Sequence, residues 1–542
     1  MNKKNLGVLC CALMISVAGL HAQDVAWKKN FGGSDREEFY DLTAVPGGYV
    51  AVGYGRVGTF NTGDWAGITG KGEVDAIIVK YDTEGNVLWK KNFGGSAQDV
   101  FESVTTVSDG VVAVGHSYPN SFGNGDWAGV TGKGAVDGIV VKFNNDGNVV
   151  WKKHFGANQG DWFRRVVTVS DGVVLVGESW AFDNGDWAGV KKKEGMTNGI
   201  IIKYDNAGNV VWKKNFGGSV GDLFLGATAV SDGIIVVGNC AFYSNASFNI
   251  DDWAGAKMIG VREASIVKYD HSGNIVWNKY FGGVEWDEFI AVTEVSDGYV
   301  AVGRSYNASF NTGDWAGVAG KGSEDAIIVK FNKSGAVVWK KHFGGSQLDR
   351  FSAVVTLPDD EVLAAGFSDN LNGDWGAITG KGRDATLVKY DKNGNVAWKK
   401  NFGGSSGDQF YNVITIPDGI VAAGYAAAGS FGNGDWVGVT SKGEWDAIIA
   451  KFSTNTVDNA AIQGVTSLRV YPNPTTGQLT VSGTNLKGAE VYDLTGRKQP
   501  AENSKANDGI RINISHLSAG IYFLKIQTEE GTVTKKIIKK HE

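Results

Sequence analysis

Proline is scarce in this chain, at 7 of 542 residues, and cysteine is scarcer, at 3. Cys10 and Cys11 lie in the first two dozen residues, which leaves Cys240 as the one thiol of the remainder. That excludes a disulfide framework, so the folded part must be held by burial. A strong charge bias is missing too: a net charge of −6 over this length makes no electrostatic case for nucleic acid. No segment shows helical spacing, and past the N-terminus no apolar run is long enough to cross a bilayer. His116, His154, His271 and His342 are scattered, and no HExxH, GxSxG or P-loop pattern occurs, so catalysis finds little support.

Residues 1–22 have a basic start, a short apolar core and a small-residue site after Ala22. They read as a signal peptide, with neither cysteine framed for acylation, and predict an exported protein. Glycine, by contrast, is abundant at 78 residues, and 14 of the 18 tryptophans belong to two repeated phrases. "WKKNFGG" and its variants recur at Trp27, Trp89, Trp151, Trp212, Trp277, Trp339 and Trp398, spaced by 62, 62, 61, 65, 62 and 59 residues. Each unit reads as four short strands. In 94–156 these are "DVFESVTTV", the continuous apolar run "VVAVG", "GIVVKF" and "VVWKKHFG", with "SDG" and "NDGN" turns and one long loop. One such sheet cannot bury both faces, and stacking seven radially can. The array begins on a fourth-strand phrase, "VAWKKNFGG", and ends after a third-strand phrase, "DAIIAKFS". The expected fold class is therefore all-β: a seven-bladed β-propeller over 23–453, its N-terminal strand closing the last blade. A linker at 454–466 and a small β-sandwich at 467–542 follow. Lys pairs in the outer strands would guard the exposed edges.

The stretch "DAIIVKYDTEGNVLWKKNFGGSAQDVFESVTTVSDGVVAVG" (75–115) resembles bacterial β-propeller repeats of the pattern DAFVAKLDxxGxxxYxxxxGGSGDDxxxxIAVDxxGxxYVTG. That resemblance implies the fold and says little of activity.

The second phrase, GDWAG and its variants, sits in the long loop on the face shared with the inter-blade link. It supplies the candidate ligand-binding pairs Asp64–Trp65, Asp126–Trp127, Asp186–Trp187, Asp252–Trp253, Asp314–Trp315, Asp374–Trp375 and Asp435–Trp436. The link adds Glu37, Asp99, Asp161, Asp222, Asp287, Asp349 and Asp408, and an acid or Asn opens each third strand. Three readings compete. In the first, Asp fixes the loop through backbone N–H groups, Trp wedges between blades with its N–H on a carbonyl, and the lysine of "KG" pairs with an acid. In the second, exposed indoles stack on sugar and Asp takes hydroxyls, which gives avidity for a glycan or other surface polymer. In the third, two Asp and loop carbonyls hold calcium, although no known calcium-loop spacing is present. No other metal or cofactor is indicated. A glycosidase needs one differentiated acid pair, and seven equivalent ones do not supply it. Trp162, Trp180, Trp286 and Trp445 depart from the repeat and mark where a unique site could lie.

After the linker come "SLRVYPNPTTGQLTVSG", "AEVYDLTGRK", "IRINISHLSAGIYFLKIQT" and "GTVTKKIIKK". These phrases resemble the type A sorting domain of the type IX secretion system. The matching residues are Tyr471, Pro472, Asn473, Pro474 and Gly477, then Asp493, Gly496 and Arg497, then Leu517, Gly520 and Tyr522. The resemblance implies a secretion-machinery partner, passage through the periplasm and export across the outer membrane of a Gram-negative bacterium. Release, or attachment to surface lipopolysaccharide after removal of the domain, would follow. The expected function is a surface or secreted binding and adhesion module. The alternatives are a polysaccharide- or peptide-acting enzyme with its site at the channel mouth, or a purely structural surface component.

Overall fold

Alternation and turn chemistry produce the same four antiparallel strands in each unit. In the second unit strand a is Asp99–Val107, b is Gly110–Ser117, c is Asp137–Asn144 and d is Val149–Phe155. Strands b and c are buried almost throughout, as their unbroken apolar runs require, while d begins exposed. Strand a bulges after Phe101, and the equivalent shift occurs in all seven units. The bulge drives strand a close onto strand b, where a Cβ on Gly115 would fall 1.9 Å from the Val100 carbonyl. This explains the glycine that ends every "VAVG"-type run.

The computed structural model describes residues 25–453, apart from 219–220, 242–250, 258, 379 and 381, and residues 469–540, apart from 474, 484–485, 493–497, 507–508, 519 and 529–531. The expected signal peptide (1–22) and linker (454–466) lie outside the described residues, as do Pro474, Asp493, Gly496 and Arg497. The contacts divide the chain at Thr454 into two units.

The first unit holds seven four-stranded sheets, and the only helical pieces among its described residues are short 3-10 turns. The innermost strands stand side by side in order, and the last, Asp408–Ile416, lies against the first, Glu37–Val45. The sheets therefore close into a ring. The strand Val25–Phe31 pairs antiparallel with Trp445–Ser453, from Val25 opposite Phe452 to Phe31 opposite Ala447, and so completes the seventh sheet. The second unit contains two four-stranded sheets that share one apolar core, including Val481, Val491, Ile512, Leu524 and Ile537.

The outer tryptophans join neighbouring blades. Trp27, Trp89, Trp277 and Trp339 donate to carbonyls in the c–d turn of the next blade at 3.0–3.2 Å. Each indole lies on that turn's glycine: a Cβ on Gly85 (φ +78°) would meet Trp27 at 2.9 Å. The first lysine of most "WKK" phrases reaches inward, Lys152 Nζ donating to the Asp126 carbonyl, so the lysine pairs do more than guard an edge.

Closure puts a load on seven residues. A full chain lacking Val25–Phe31 leaves the Trp445–Ser453 strand unpaired, and its melting temperature should fall by on the order of 5 °C or more in a calorimetric scan.

Candidate functional site

Each GDW loop makes one 3-10 turn that carries its Trp into the junction between two blades. The glycine adopts positive φ (Gly125, +52°) against the preceding link, where a Cβ would meet the Gly94 carbonyl at 2.3 Å. Asp126 then clamps that link from both ends: its N–H donates to Gly94 O at 2.8 Å and its carboxylate accepts Gly94 N–H at 2.9 Å. Lys71 of the preceding blade reaches the same carboxylate at 2.5 Å. Lys133–Asp186, Lys321–Asp374 and Lys193–Asp252 repeat the tie, and Lys442–Asp64 carries it across the ring closure. Lys381 lies outside the described residues. In blade 4 Ile259 holds the lysine position, as shown by its backbone and that of Gly260 donating to Glu263.

All seven GDW indoles are buried, with relative exposure of 0–2%. Of the three readings, open stacking is therefore not present and the wedge between blades is: neither face of Trp65, Trp127, Trp187, Trp253, Trp315, Trp375 or Trp436 is open to a sugar. Each packs edge-on against the Phe that ends the previous blade's strand d, Trp127 on Phe93 at 5.2 Å for example. The indole N–H also goes to a different partner from the expected carbonyl. It donates to the link carboxylate in Trp127–Asp99, Trp187–Asp161, Trp253–Asp222, Trp315–Asp287 and Trp436–Asp408, at 2.7–3.2 Å. Asp99 additionally receives Gly95 N–H, Ser117 and Ser121.

Blade 1 departs from this. Glu37 replaces the aspartate and Gly55 the serine, and both the Trp65 Nε1 and one Glu37 oxygen are left without a hydrogen-bond partner.

For calcium, the chemistry of the donor set is unfavourable. The link and loop carboxylates, and Asp75 at the start of strand c, already accept N–H and O–H donors, and among the described residues no three metal-ligating side chains converge. His154 and His342 bond Asp137 and Asp325 at 2.8 Å, in the role that Asn92 plays toward Asp75.

Burial pushes the link acids up: Asp161 and Asp287 to about 6, and Asp222, Asp349 and Asp408 to about 7, against the downward pull of their donors. Glu37, with fewer donors, rises to about 9.

The residues that differ between blades gather elsewhere. The innermost strands surround a channel of about 770 Å³ lined by Tyr40, Glu102, Arg164, Arg165, Arg350 and Tyr411 among others. These positions flank the link acid and the Phe that recur in every strand a, and they vary around the ring: the column of Tyr40 reads Tyr40, Glu102, Arg164, Leu225, Ile290, Ser352 and Tyr411, the first and last meeting at 5.1 Å across the ring closure. The four off-repeat tryptophans lie beside the link acids or at the ends of strands b and c. Trp162 and Trp180 pair at 6.0 Å, Trp286 meets Tyr306 at 5.5 Å beneath Arg262, and Trp445 stacks on Tyr425 at 4.8 Å beneath Arg36. Trp180 is 39% exposed. Glu38, buried against Tyr54, and Glu102, beside Arg164, are both raised by burial, and His116 falls to about 3 for the same reason. Aligning the repeats column by column is the signal that exposes these residues; searching for what repeats passes over them.

In the second unit Asn473 accepts the Ile538 N–H at 2.9 Å, Gly477 is buried at positive φ, and Tyr522 donates to Ser518 O. Tyr471 and Gly520 are exposed.

Ring and tail together define an exported β-propeller protein that carries its own sorting signal. Residues 469–540 match the secretion system C-terminal sorting domain. That tail implies handling by the type IX machinery and places the protein at the cell surface or outside a Gram-negative Bacteroidetes cell. No helix among the described residues is long and apolar enough to cross a membrane. The regulatory protein FlaEY of Caulobacter vibrioides is 22% identical over 208 residues, covering 37% of this chain; the match spans 22% of that relative's length. Among solved structures, the WD40 β-propeller domain of Doa1 aligns with 80% of this chain and 98% of its own at 11% identity (TM-score 0.40). The WD40 domain of Neurospora crassa Pan2 aligns with 79% and 90% at 10% identity (TM-score 0.40).

Two measurements check the clamp. Trp127→Ala should cost about 3–5 kcal/mol in denaturant unfolding, as expected for a fully buried indole. Because the raised link acids hold protons in the folded chain that they lose when unfolded, their stabilisation is complete below an ordinary aspartate pKa and is lost as pH rises through about 6–7. The melting temperature should thus fall between about pH 4 and 7, and Asp408→Asn should flatten that slope.

Proposed function

We propose that this exported protein is a binding module for a glycan or another surface polymer, and that the ligand meets the channel mouth instead of the seven GDW loops. One observation carries the reading. Repeats that agree at most of their clamp residues diverge beside the link acids and at the ends of strands b and c next to the GDW loops, where aromatic and arginine side chains remain partly exposed. Tryptophan, tyrosine and arginine are the side chains that dominate binding hot spots. Packing alone would favour one solution at every blade, as it does for the GDW indoles.

Glu38 and Glu102 favour a second reading, a hydrolase at the same mouth, since burial holds both toward the acid form. Release of new reducing ends or peptide fragments on incubation with polymer would establish it, and loss of that release in Glu102→Gln would locate it.

The test of binding is retention of the full chain on glycan arrays and isolated envelope polymers. Trp180→Ala and Trp445→Ala should weaken retention about tenfold or more with melting unchanged. Unaltered retention in both would contradict the placement.

A further inference from the structure

We propose that the channel interior, one residue along strand a from the Tyr40 column, binds an apolar carboxylate: an acyl chain, or the apolar C-terminal residue of a peptide, with its carboxylate on Arg165. This goes beyond the reading of the mouth and does not rest on it.

At this depth the ring divides into two halves. Blades 7, 1, 2 and 3 supply Asn412, Asp41, Ser103 and Arg165, whereas blades 4, 5 and 6 supply Gly226, Ala291 and Ala353. The polar half is complete without Arg165. Asp41, at 1% exposure, accepts Ser103 Oγ at 2.6 Å, the Val104 N–H at 2.9 Å and the Leu42 N–H at 2.8 Å, and Asn412 Nδ2 donates to it as well. Arg165 adds an ion pair, Nη1 to Asp41 Oδ2 at 3.2 Å, its one polar contact among the described residues.

The rest of that guanidinium is open. Arg165 belongs to the channel wall and its side chain is 33% exposed. Unlike Arg350, whose Nε is closed off, it has no buried nitrogen lacking a partner, so its unused donors can be reached from the channel. The wall around them is largely apolar. Leu225 and Ile290 stand half-buried in the Tyr40 column, with Val167, Val355 and Ile414 three residues deeper. Three of the four threonines at that deeper level already bond a neighbouring hydroxyl, in Thr43–Thr106, Thr105–Thr168 and Thr293–Thr356 at 2.9–3.0 Å.

A channel of about 770 Å³ is in the size range of pockets that enclose small ligands. The planar guanidinium fork suits the two oxygens of a carboxylate. A bare carboxylate would leave the apolar wall wet, and a neutral apolar molecule would strip water from the guanidinium without replacing it. A ligand that answers both needs carries both groups.

Titration calorimetry of the full chain with octanoate, octanamide, acetate, N-acetyl-leucyl-leucine and the C-terminal amide of that peptide tests this. At least one of the two apolar acids should bind, which decides between acyl chain and peptide terminus. Acetate and both amides should bind about tenfold or more weakly, the loss expected for a charge-assisted hydrogen bond. Arg165→Gln should weaken the acid by a similar factor, with melting unchanged because Asp41 keeps its other donors. Ala291→Leu narrows the channel without touching an ion pair and should also weaken the acid, so it decides the matter if Arg165→Gln disturbs folding. Trp180→Ala and Trp445→Ala should leave acid binding unchanged, which separates this site from polymer retention at the mouth. Silence of both acids, amides binding as tightly as the acids, or acid binding indifferent to Arg165→Gln and Ala291→Leu overturns the proposal. Acid binding lost with Trp180 or Trp445 overturns it too, since the ligand would then lie at the mouth.

Discussion

A carboxylate withdrawn from water sits at each blade junction, and the surrounding chain is arranged to satisfy it. In blade 2 the link residue Asp99 receives a backbone N–H, two hydroxyls and the Trp127 indole N–H. Those donors come from the link, from strand b and from the GDW loop, so one buried carboxyl group fixes three separate pieces of chain. The loop aspartate holds the same link from outside and is tied to the previous blade by lysine. With one buried thiol in the described residues, this polar joint and the aromatic packing beneath it do what cross-links do in smaller secreted folds.

Blade 1 shows the joint tolerating change when volume is kept. Glu37 is a methylene longer than aspartate, and Gly55 vacates the space that serine fills in blades 2, 3, 5 and 6, Cys240 in blade 4 and Ala426 in blade 7; a Cβ on Gly55 would lie 3.5 Å from Glu37 Cγ. The exchange leaves Trp65 Nε1 unpaired, so packing is conserved and the hydrogen bond is not. The same logic separates framework from surface over the whole ring. The GDW indole and the link acid that solve the junction recur in all seven blades with only Glu37 for aspartate, while the positions facing the channel vary far more.

Much of the architecture was legible because periodicity and phase are sequence properties. The 62-residue step, the turn phrases and the offset between the first and last strands predict four-stranded sheets and closure by Val25–Phe31, as the pairing with Trp445–Ser453 shows. The fate of the GDW pairs was legible only to the level of alternatives. An Asp–Trp neighbour pair reads as a buried clamp, an open sugar platform or part of a calcium loop, and only the three-dimensional course of the preceding link decides that the indole faces inward. Its partner, a carboxylate 28 residues earlier in the case of Trp127, could not be chosen from among three recurring acids. The mouth was least legible. Its members are spread across strands a, b and c of different blades.

The central claim is that the link carboxylate and the GDW indole act as one joint, and a double-mutant cycle on Asp161 and Trp187 measures that most directly. Unfolding free energies of Asp161→Asn, Trp187→Phe and the double variant should reveal a coupling of about 1–3 kcal/mol, as for contacting residues in one network. Additive effects within about 0.5 kcal/mol would show the two side chains to be independent and would contradict the account.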